Sequence, residues 1–337
     1  MSLNKKAVAL LSGGLDSTLA VKLMIDQGID VTAVHFTSVF CNCSPKKAGC
    51  KIHARKVAEE FAVPIIVIHK GMDYIKMVEN PPHGHGSAMN ACIDCRIYML
   101  RKVKEMMPEL GASFVITGEV LGQRPMSQQR HTIRLIEKES GLQDLILRPL
   151  SAQHFEPTLP EREGIVDRDK LLNISGRGRK PQFALAENLG VTDYPCPAGG
   201  CLLTDKIIAA RLRDLFVHTA DYNQTDLVLL TLGRHYRLHT DLKIILGRKQ
   251  EENERLISLV KDGQSIFEPE NFRGPTILAV GRLDEEREAT IGAMIAAHSQ
   301  DTKTVYKVKK AIYPDGNSIL FRAQRQPRDT WDKQRLG

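Results

Sequence analysis

The chain has 337 residues, a formal net charge of +7, 42% hydrophobic residues and 26% charged residues. That is an ordinary globular balance, long enough for two domains. No apolar run approaches the length that spans a bilayer, and the apolar stretch after Lys5 and Lys6 is too short for a signal peptide, so no membrane partner and a cytoplasmic location are expected.

Ala7 to Leu11 reads as a buried strand, and Thr18 to Gln27 has apolar residues at helical spacing and stops at Gly28. Between them lies Ser12-Gly13-Gly14-Leu15-Asp16-Ser17. A glycine turn from a strand edge into a helix N-terminus aims backbone N–H groups at one point, which suits a phosphate. The longer spacing and Lys-Ser/Thr pair of an ordinary P-loop are missing. Asp16 stands in the turn instead, where it either orients the loop or holds Mg²⁺.

Val31 to Phe36 follows as a second strand, 46–61 as a helix, Val63 to His69 as a third strand, and Asp94 to Met107 as a helix ending at Pro108. Phe114 to Thr117 and Leu145 to Leu147 read as further short strands. Strand alternating with helix predicts an α/β fold, a parallel doubly wound sheet with ligands at the carboxyl ends of its strands. The glycine turn, the Cys41 region and Thr117-Gly118-Glu119 all follow strands and are placed to share one crevice.

Three parts are expected: a nucleotide-binding domain over 1–155, a connector over 156–215, and a smaller α+β domain over 216–337. The connector carries Arg177, Arg179 and Lys180 in a glycine-rich stretch, either a nucleic-acid contact or a solvated loop. In the last part Lys243 to Leu246 and Thr276 to Val280 are strand-like. Glu251 to Val260 and Asp284 to Ala297 are helical, and Thr304 to Val308 and Ser318 to Phe321 are candidate closing strands. Residues 303–335 hold nine basic and three acidic residues, compatible with a polyanionic partner.

The seven cysteines are an odd number and, in a cytoplasmic protein, read as metal ligands or reactive thiols rather than a disulfide framework. Cys92-Ile93-Asp94-Cys95 sits at a helix start, where the dipole favours a thiolate; zinc, an iron–sulfur cluster and a redox pair all remain open there. Cys41, Cys43 and Cys50, with His53, are either a second metal site, Zn²⁺ in particular, or a loop of unligated cysteines. His83-Gly84-His85 reads as a loop near the Cys92 site rather than a metal site. Cys196 and Cys201 lie in a Pro/Gly-rich stretch and supply a further thiol.

The hexapeptide Ser12 to Ser17 resembles the SGGxDS signature of the PP-loop ATP pyrophosphatases, whose fold is of the adenine nucleotide alpha hydrolase type. The resemblance implies ATP with Mg²⁺, cleavage between the α and β phosphates, and adenylation of a substrate oxygen. It implies nucleotide contacts from Ser12, Gly13, Gly14, Asp16 and Ser17. Thr117 to Gln128 is similar to TGExLGQ…SQ of the thiouridine synthetases in this superfamily, which adds Gly118 and Gln123, with Arg124 and Gln128 beside them. The Cys92–Cys95 loop resembles the one that carries the catalytic cysteine of the tRNA 2-thiouridylases. PAGGCLLTD, Pro197 to Asp205, resembles the segment that returns a second cysteine to that site, and it favours Cys201 over Cys196. Cys92, Cys95, Cys201 and Asp16 are therefore the implied catalytic set. Three cysteines imply either a [4Fe–4S] cluster with one open iron or a persulfide and disulfide pathway, and the third cysteine favours the cluster. Tyr222 through Gly281, with Gly233-Arg234-His235 and Gly247-Arg248-Lys249, is similar to the NFACT-R RNA-binding module, which implies tRNA docking by phosphate contacts.

The implied activity is ATP-dependent thiolation of a tRNA uridine, with sulfur from free sulfide or a separate carrier protein. The rival is an amide- or lysidine-type ligase sharing the SGGxDS turn but needing no placed cysteines. A third possibility is an RNA-binding adaptor without catalysis, against which the intact Asp16 and both serines speak.

Overall fold

The computed structural model describes residues 3–41, 50–192, 194, 200–314 and 317–337. The chain divides into two compact units, Met1–Thr204 and Asp205–Gly337. Residues 156–204 thus belong to the first unit, and 205–215 to the second.

In the first unit β1 (Lys6–Leu10), α1 (Leu15–Ile25), β2 (Asp30–Thr37), α2 (Cys50–Glu60), β3 (Ile65–His69) and α3 (Met72–Glu79) precede the long α4 (Cys92–Leu110). Next come β4 (Phe114–Thr117), α5 (Arg130–Ser140), β5 (Ile146–Leu147), α6 (Leu159–Arg162) and α7 (Lys180–Asn188). The five strands form one sheet in the order β3-β2-β1-β4-β5, and every pairing is parallel. The α/β doubly wound expectation is met.

Alternation along the strands divides the core between two faces. Ala7, Ala9, Val31, Ala33, Phe114 and Ile116 face Ala20, Met24 and Val57 of α1 and α2. Val8, Leu10, Val34 and Val115 face Ile97, Leu100, Val103 and Ile136 of α4 and α5. With both faces covered, the strands are near-continuous apolar runs, as buried parallel strands are. A third cluster joins Leu15 and Leu19 of α1 to Ile174, Ala186 and Val191, which seats α7 on α1.

Two local readings are corrected. The helix placed over 94–107 runs from Cys92 to Leu110, with Pro108 inside its last turn. Pro108 removes one N–H, but the stop is Gly111, left-handed at φ 62°, whose N–H returns to the carbonyls of Met107 and Pro108. The helix α3, which separates β3 from the cysteine loop, went unread; its first residue follows Gly71 directly.

The second unit comprises α8 (Lys206–His218), α9 (Gln224–Leu229), β6 (Arg234–His239), β7 (Leu242–Leu246), α10 (Gln250–Ser258), β8 (Ser265–Pro269), β9 (Ile277–Gly281), α11 (Glu285–Ala297), β10 (Tyr306–Ile312) and β11 (Ser318–Ala323). Its strands form a six-stranded antiparallel sheet, β11-β10-β8-β9-β7-β6, the smaller α+β domain expected. Its principal core sets Ile291 to Ala297 of α11 against Tyr236, Leu242, Ile244, Phe267, Ile277 and Val308. Among the described residues no helix is long and apolar enough to cross a membrane.

One close approach in the first unit is testable. A Cβ at Gly118 would lie 2.5 Å from the Ser17 nitrogen and 2.6 Å from the Asp16 carbonyl atoms, all backbone. Gly118→Ala is expected to cost about 1–3 kcal/mol through this overlap and to lower the thermal midpoint. Gly178→Ala, where a Cβ meets nothing within 4 Å, is the matched control and leaves the midpoint unchanged.

Candidate active site

The turn after β1 is tied by its own hydroxyls. Ser12 and Ser17 side chains lie 2.9 Å apart, the Ser12 N–H donates to Ser17 Oγ at 3.2 Å, and Ser17 Oγ donates to the Gly14 carbonyl at 2.9 Å. Gly13 takes φ 77°, a conformation that glycine adopts without strain. Gly14 is the N-cap of α1 and offers no side-chain cap, so the first N–H groups of the helix have no capping side chain from that position. Asp16 sits in that first turn. Its Oδ2 accepts from Gln123 Nε2 at 2.8 Å and lies 3.6 Å from Arg179 Nη2. Its Oδ1 is buried and has no hydrogen-bond partner among the described residues. The site thus combines a positive helix end, an arginine and one unsatisfied acidic oxygen. That donor set fits a polyphosphate with a divalent cation on Asp16.

Gln123 is held in turn by Gln182 of α7, whose Nε2 donates to Gln123 Oε1 at 3.2 Å. Backbone pairing of Gly176 with Leu121 brings the Ser175–Lys180 stretch to the turn. Arg179, open in the sequence between a nucleic-acid contact and a solvated loop, and Gln182, assigned no role from the sequence, thus join the candidate site. Gly118 lies against the turn from behind, where the backbone of Asp16 and Ser17 fills the space a side chain would take. Gln128 is buried, and its carbonyl accepts from the Gly122 N–H at 2.7 Å, which closes the loop after β4.

The cysteines converge at the same edge of the sheet. Cys41 follows β2, Lys70 follows β3, and Cys92 and Cys95 open α4. The Cys201 segment returns by backbone pairing: Cys41 and Cys201 form an antiparallel bridge, the Leu202 N–H donates to the Phe40 carbonyl at 2.8 Å, and the Met89 N–H donates to the Leu203 carbonyl at 3.0 Å. Cys95 Sγ accepts from Lys70 Nζ and from the Tyr74 hydroxyl, each at 3.5 Å, and the Lys70 ammonium lies 4.2 Å from the centre of the Tyr74 ring. Tyr74 is buried, and burial with the charges of Cys95, Cys201 and Cys41 pushes its hydroxyl well above the usual range, so it stays a proton donor. Burial pushes the Cys201 thiol up to about 11, and the neighbouring Cys95 and Cys41 add to that. Burial also raises Cys92, against the opposing pull of Asn90, Arg96 and Arg124.

The four cysteines whose side chains are described, Cys41, Cys92, Cys95 and Cys201, are free thiols. Cys41, read as part of either a second metal group or a loop of unligated cysteines, joins Cys95 and Cys201 around Lys70 and Tyr74. Cys43, the side chain of Cys50 and Cys196 lie outside the described residues, and His53 is buried in α2. Among the described residues no three His, Cys, Asp or Glu side chains are arranged to ligate one metal ion.

Two charged clusters brace the cysteine helix. Glu119, buried at the end of β4, accepts from Arg148 Nε at 3.1 Å and lies 3.3 Å from Arg96 Nε, one residue beyond Cys95. Burial raises its carboxyl, but Arg96 and Arg148 outweigh that and hold it below the usual range. His83 bridges Asp94 of α4 at 2.8 Å and Glu139 of α5 at 3.1 Å.

In the second unit Arg234, Arg248 and Lys249 line one cavity of about 460 Å³. Arg248 is bound there to Glu252 through its N–H and guanidinium.

Residues 2–156 match the family model described as thiamine biosynthesis protein (ThiI), and residues 233–323 match the NFACT protein RNA binding domain. The first unit thus resembles a ThiI-type PP-loop domain over residues 2–156, and the second an NFACT-type module over residues 233–323. Among curated proteins, a probable tRNA sulfurtransferase of Methanosarcina acetivorans is 32% identical over 135 residues, 34% of this chain and 28% of that protein. The tRNA-specific 2-thiouridylase MnmA of Clostridium acetobutylicum is 28% identical over 177 residues, 47% of each chain. The chain therefore spans less than half the length of these relatives. A 4-thiouridine synthetase in complex with RNA and bound ATP overlays with a TM-score of 0.36 and 22% identity, over 55% of this chain and 51% of that one; at that score the overlay says nothing about the site.

The first unit yields a pH prediction. Asp94 and Glu139 raise the His83 imidazole above its ordinary value, with burial opposing. A raised folded value contributes stability that is fully present below the unfolded pKa, about 6.5, and is lost as pH rises through the folded one. His83→Gln is expected to narrow its stability deficit to wild type as pH rises from 5.5 to 8.5. A proton NMR titration is expected to give His83 a midpoint above 6.5.

Proposed function

We propose that the chain is an ATP-dependent tRNA sulfurtransferase that adenylates a uridine carbonyl oxygen and replaces it with sulfur. One observation carries this reading: a glycine turn into a helix N-terminus, with an unsatisfied carboxylate oxygen, and a group of three thiols lie at the same edge of one parallel sheet. Ligands bind at that edge in doubly wound folds. A PP-loop ligase needs the turn but has no use for the thiols.

The turn at Ser12–Ser17 and the N-terminus of α1 would hold the ATP phosphates, with Arg179 beside them. Asp16 would hold Mg²⁺, which neutralises phosphate charge when bound. The uracil carbonyl oxygen attacks the α-phosphorus, and the bond to pyrophosphate breaks. The oxygen is now part of a good leaving group. Cys95 carries the incoming sulfur as a persulfide delivered by a separate donor. Lys70 and Tyr74 donate to Cys95 Sγ and so stabilise negative charge on that sulfur. The terminal persulfide sulfur attacks the activated carbon, and AMP leaves with the oxygen. The Cys201 thiol then attacks the inner sulfur of Cys95; the S–S bond to the base breaks, thiouridine is released and a Cys95–Cys201 disulfide forms. An external thiol reductant resets the pair.

The [4Fe–4S] alternative assigns Cys92, Cys95 and Cys201 as ligands. Among the described residues no three His, Cys, Asp or Glu side chains are arranged to ligate one metal ion, and no step is routed through a cluster. Zinc at Cys41, Cys43 and Cys50 has no support from Cys41, which belongs to the Cys201 group. The sulfur step is accordingly written through thiols.

Mass spectrometry of tRNA nucleosides from cells with and without the gene is the direct test, and loss of one thionucleoside is the expected result. In the purified protein, Asp16→Asn is expected to lower pyrophosphate release by roughly 10²–10³, the range for removing one preorganised electrostatic group. Cys95→Ser is expected to keep pyrophosphate release and abolish thiolation. Lys70→Met should slow thiolation about tenfold, the loss of one charge-assisted hydrogen bond, with pyrophosphate release unchanged. Full thiolation by Cys95→Ser would falsify the sulfur-carrier assignment. Pyrophosphate release with no thionucleoside changed would favour the ligase.

A further inference from the structure

The cavity of the second unit has a charge pattern that general docking to a nucleic-acid backbone does not require. It encloses about 460 Å³ between the start of β6, the N-terminus of α10, the 273–275 segment and the residues after α11. Arg234, Lys249, Arg273 and Arg328 all line it, against a single carboxylate, Asp301. Asp301 Oδ2 is already engaged by the backbone N–H of Arg273 at 2.8 Å. Arg248 is neutralised by Glu252. No ion pair joins Arg234, Lys249 or Arg273 to a carboxylate among the described residues. Arg328 uses Nε on the Ala297 carbonyl at 2.8 Å, leaving its outer nitrogens to other partners. The neighbouring His298 reports the same field: its Nδ1 pairs with the Met294 carbonyl, and burial together with Arg234, Arg328 and Arg335 holds its imidazole below the usual range.

The volume falls within the range of small-ligand pockets, roughly 300–1,000 Å³, and suits one nucleotide rather than a stretch of helix. Leu246 and Pro275 provide apolar wall, and Asn253 and Gln300 provide amides. An internal phosphodiester carries one negative charge, whereas a terminal phosphomonoester carries about −1.5 to −2 at pH 7. Four cations facing one engaged carboxylate match the second better than the first. A chain end can also enter a recess that an uninterrupted strand must cross.

We propose that the cavity among Arg234, Lys249, Arg273 and Arg328 binds the terminal phosphomonoester, and the nucleotide that bears it, at an end of an RNA strand. The proposal rests on the reading of this unit as an RNA-binding module. It makes strand-end recognition, rather than sequence readout, the function of the cavity, and it leaves the uridine chemistry to the first unit.

The test uses the full chain and three RNA oligonucleotides of one sequence, with a 5′-phosphate, a 3′-phosphate or hydroxyls at both ends. Affinity is measured by fluorescence anisotropy at fixed salt. One phosphorylated oligonucleotide is expected to bind at least tenfold tighter than the hydroxyl form, and which one does so identifies the end. Arg234→Gln with Arg273→Gln is expected to erase that preference while leaving the hydroxyl form's affinity within about threefold. The double lysine variant, R234K with R273K, should retain most of the preference, which separates charge from fold. Equal binding of all three oligonucleotides by the wild type overturns the proposal and leaves the RNA reading standing. A double glutamine variant that weakens all three equally also overturns it, since the arginines would then be general backbone contacts. Failure to bind any of the three removes the RNA reading itself, and the proposal with it.

Discussion

The parallel placement of β1 between β2 and β4 sends the chain off the same edge of the sheet after every strand. Between β1 and β4 the strand order reverses, which opens the crevice where doubly wound sheets bind their ligands. The turn at Ser12–Ser17 and the loop after β4 meet at that point, and their approach is close enough that only a glycine fits at 118. Gln123 can then reach Asp16 from the far side of the crevice, and Gln182 can hold Gln123 in place. The turn at Ser12–Ser17 is thus backed closely by the loop after β4, while the glycine at 13 supplies the backbone geometry.

The same edge carries a buried charge network that fixes the cysteine helix. Glu119 sits between Arg148, near β5, and Arg96 of α4, and Arg148 also contacts Glu137 of α5. Removing one partner from such a buried set typically costs about 3–5 kcal/mol, because an unpaired charge is left in low dielectric. The network is therefore poor at adding net stability but effective at holding one arrangement. Here it locks the first turn of α4, and Cys95 with it, to the end of β4. His83 does the same for the loop before α4, through Asp94 and Glu139.

Much of this was legible in the residues. The strand–turn–helix at the N-terminus, the alternation of strands with helices and the strand after which Gly118 falls follow from period and punctuation alone. What escaped was nonlocal. Arg179 in a glycine-rich basic stretch looks like any solvated loop; only the pairing of Gly176 with Leu121 carries it to Asp16. Lys70 and Tyr74 have no motif, and their role follows from α3 folding back over the cysteine helix. Cys41 was grouped with its chain neighbours by spacing, yet the bridge to Cys201 decides its company. In the second unit α8 and β6 escaped because charges interrupt their apolar spacing, such as Asp214 and Arg237, which pair with each other.

The cysteine helix shows how magnitude decides between two sound local arguments. Position at a helix N-terminus favours a thiolate, a contribution of about 0.3–1 kcal/mol for a charge in the first turn. Burial of a charged group opposes it, and an unpaired ion in low dielectric costs several kcal/mol. At Cys92 burial prevails and the thiol is pushed up, although Asn90, Arg96 and Arg124 all pull the other way. At Cys201 it prevails by more. Cys95 differs in its contacts: one ammonium and one hydroxyl donate directly to its sulfur. Electrostatic support at the sulfur therefore comes from Lys70, just after β3, and Tyr74 of α3 rather than from the helix that carries the cysteine. The contacts thus separate a thiol that receives two donors at its sulfur from a buried neighbour whose thiol burial pushes up.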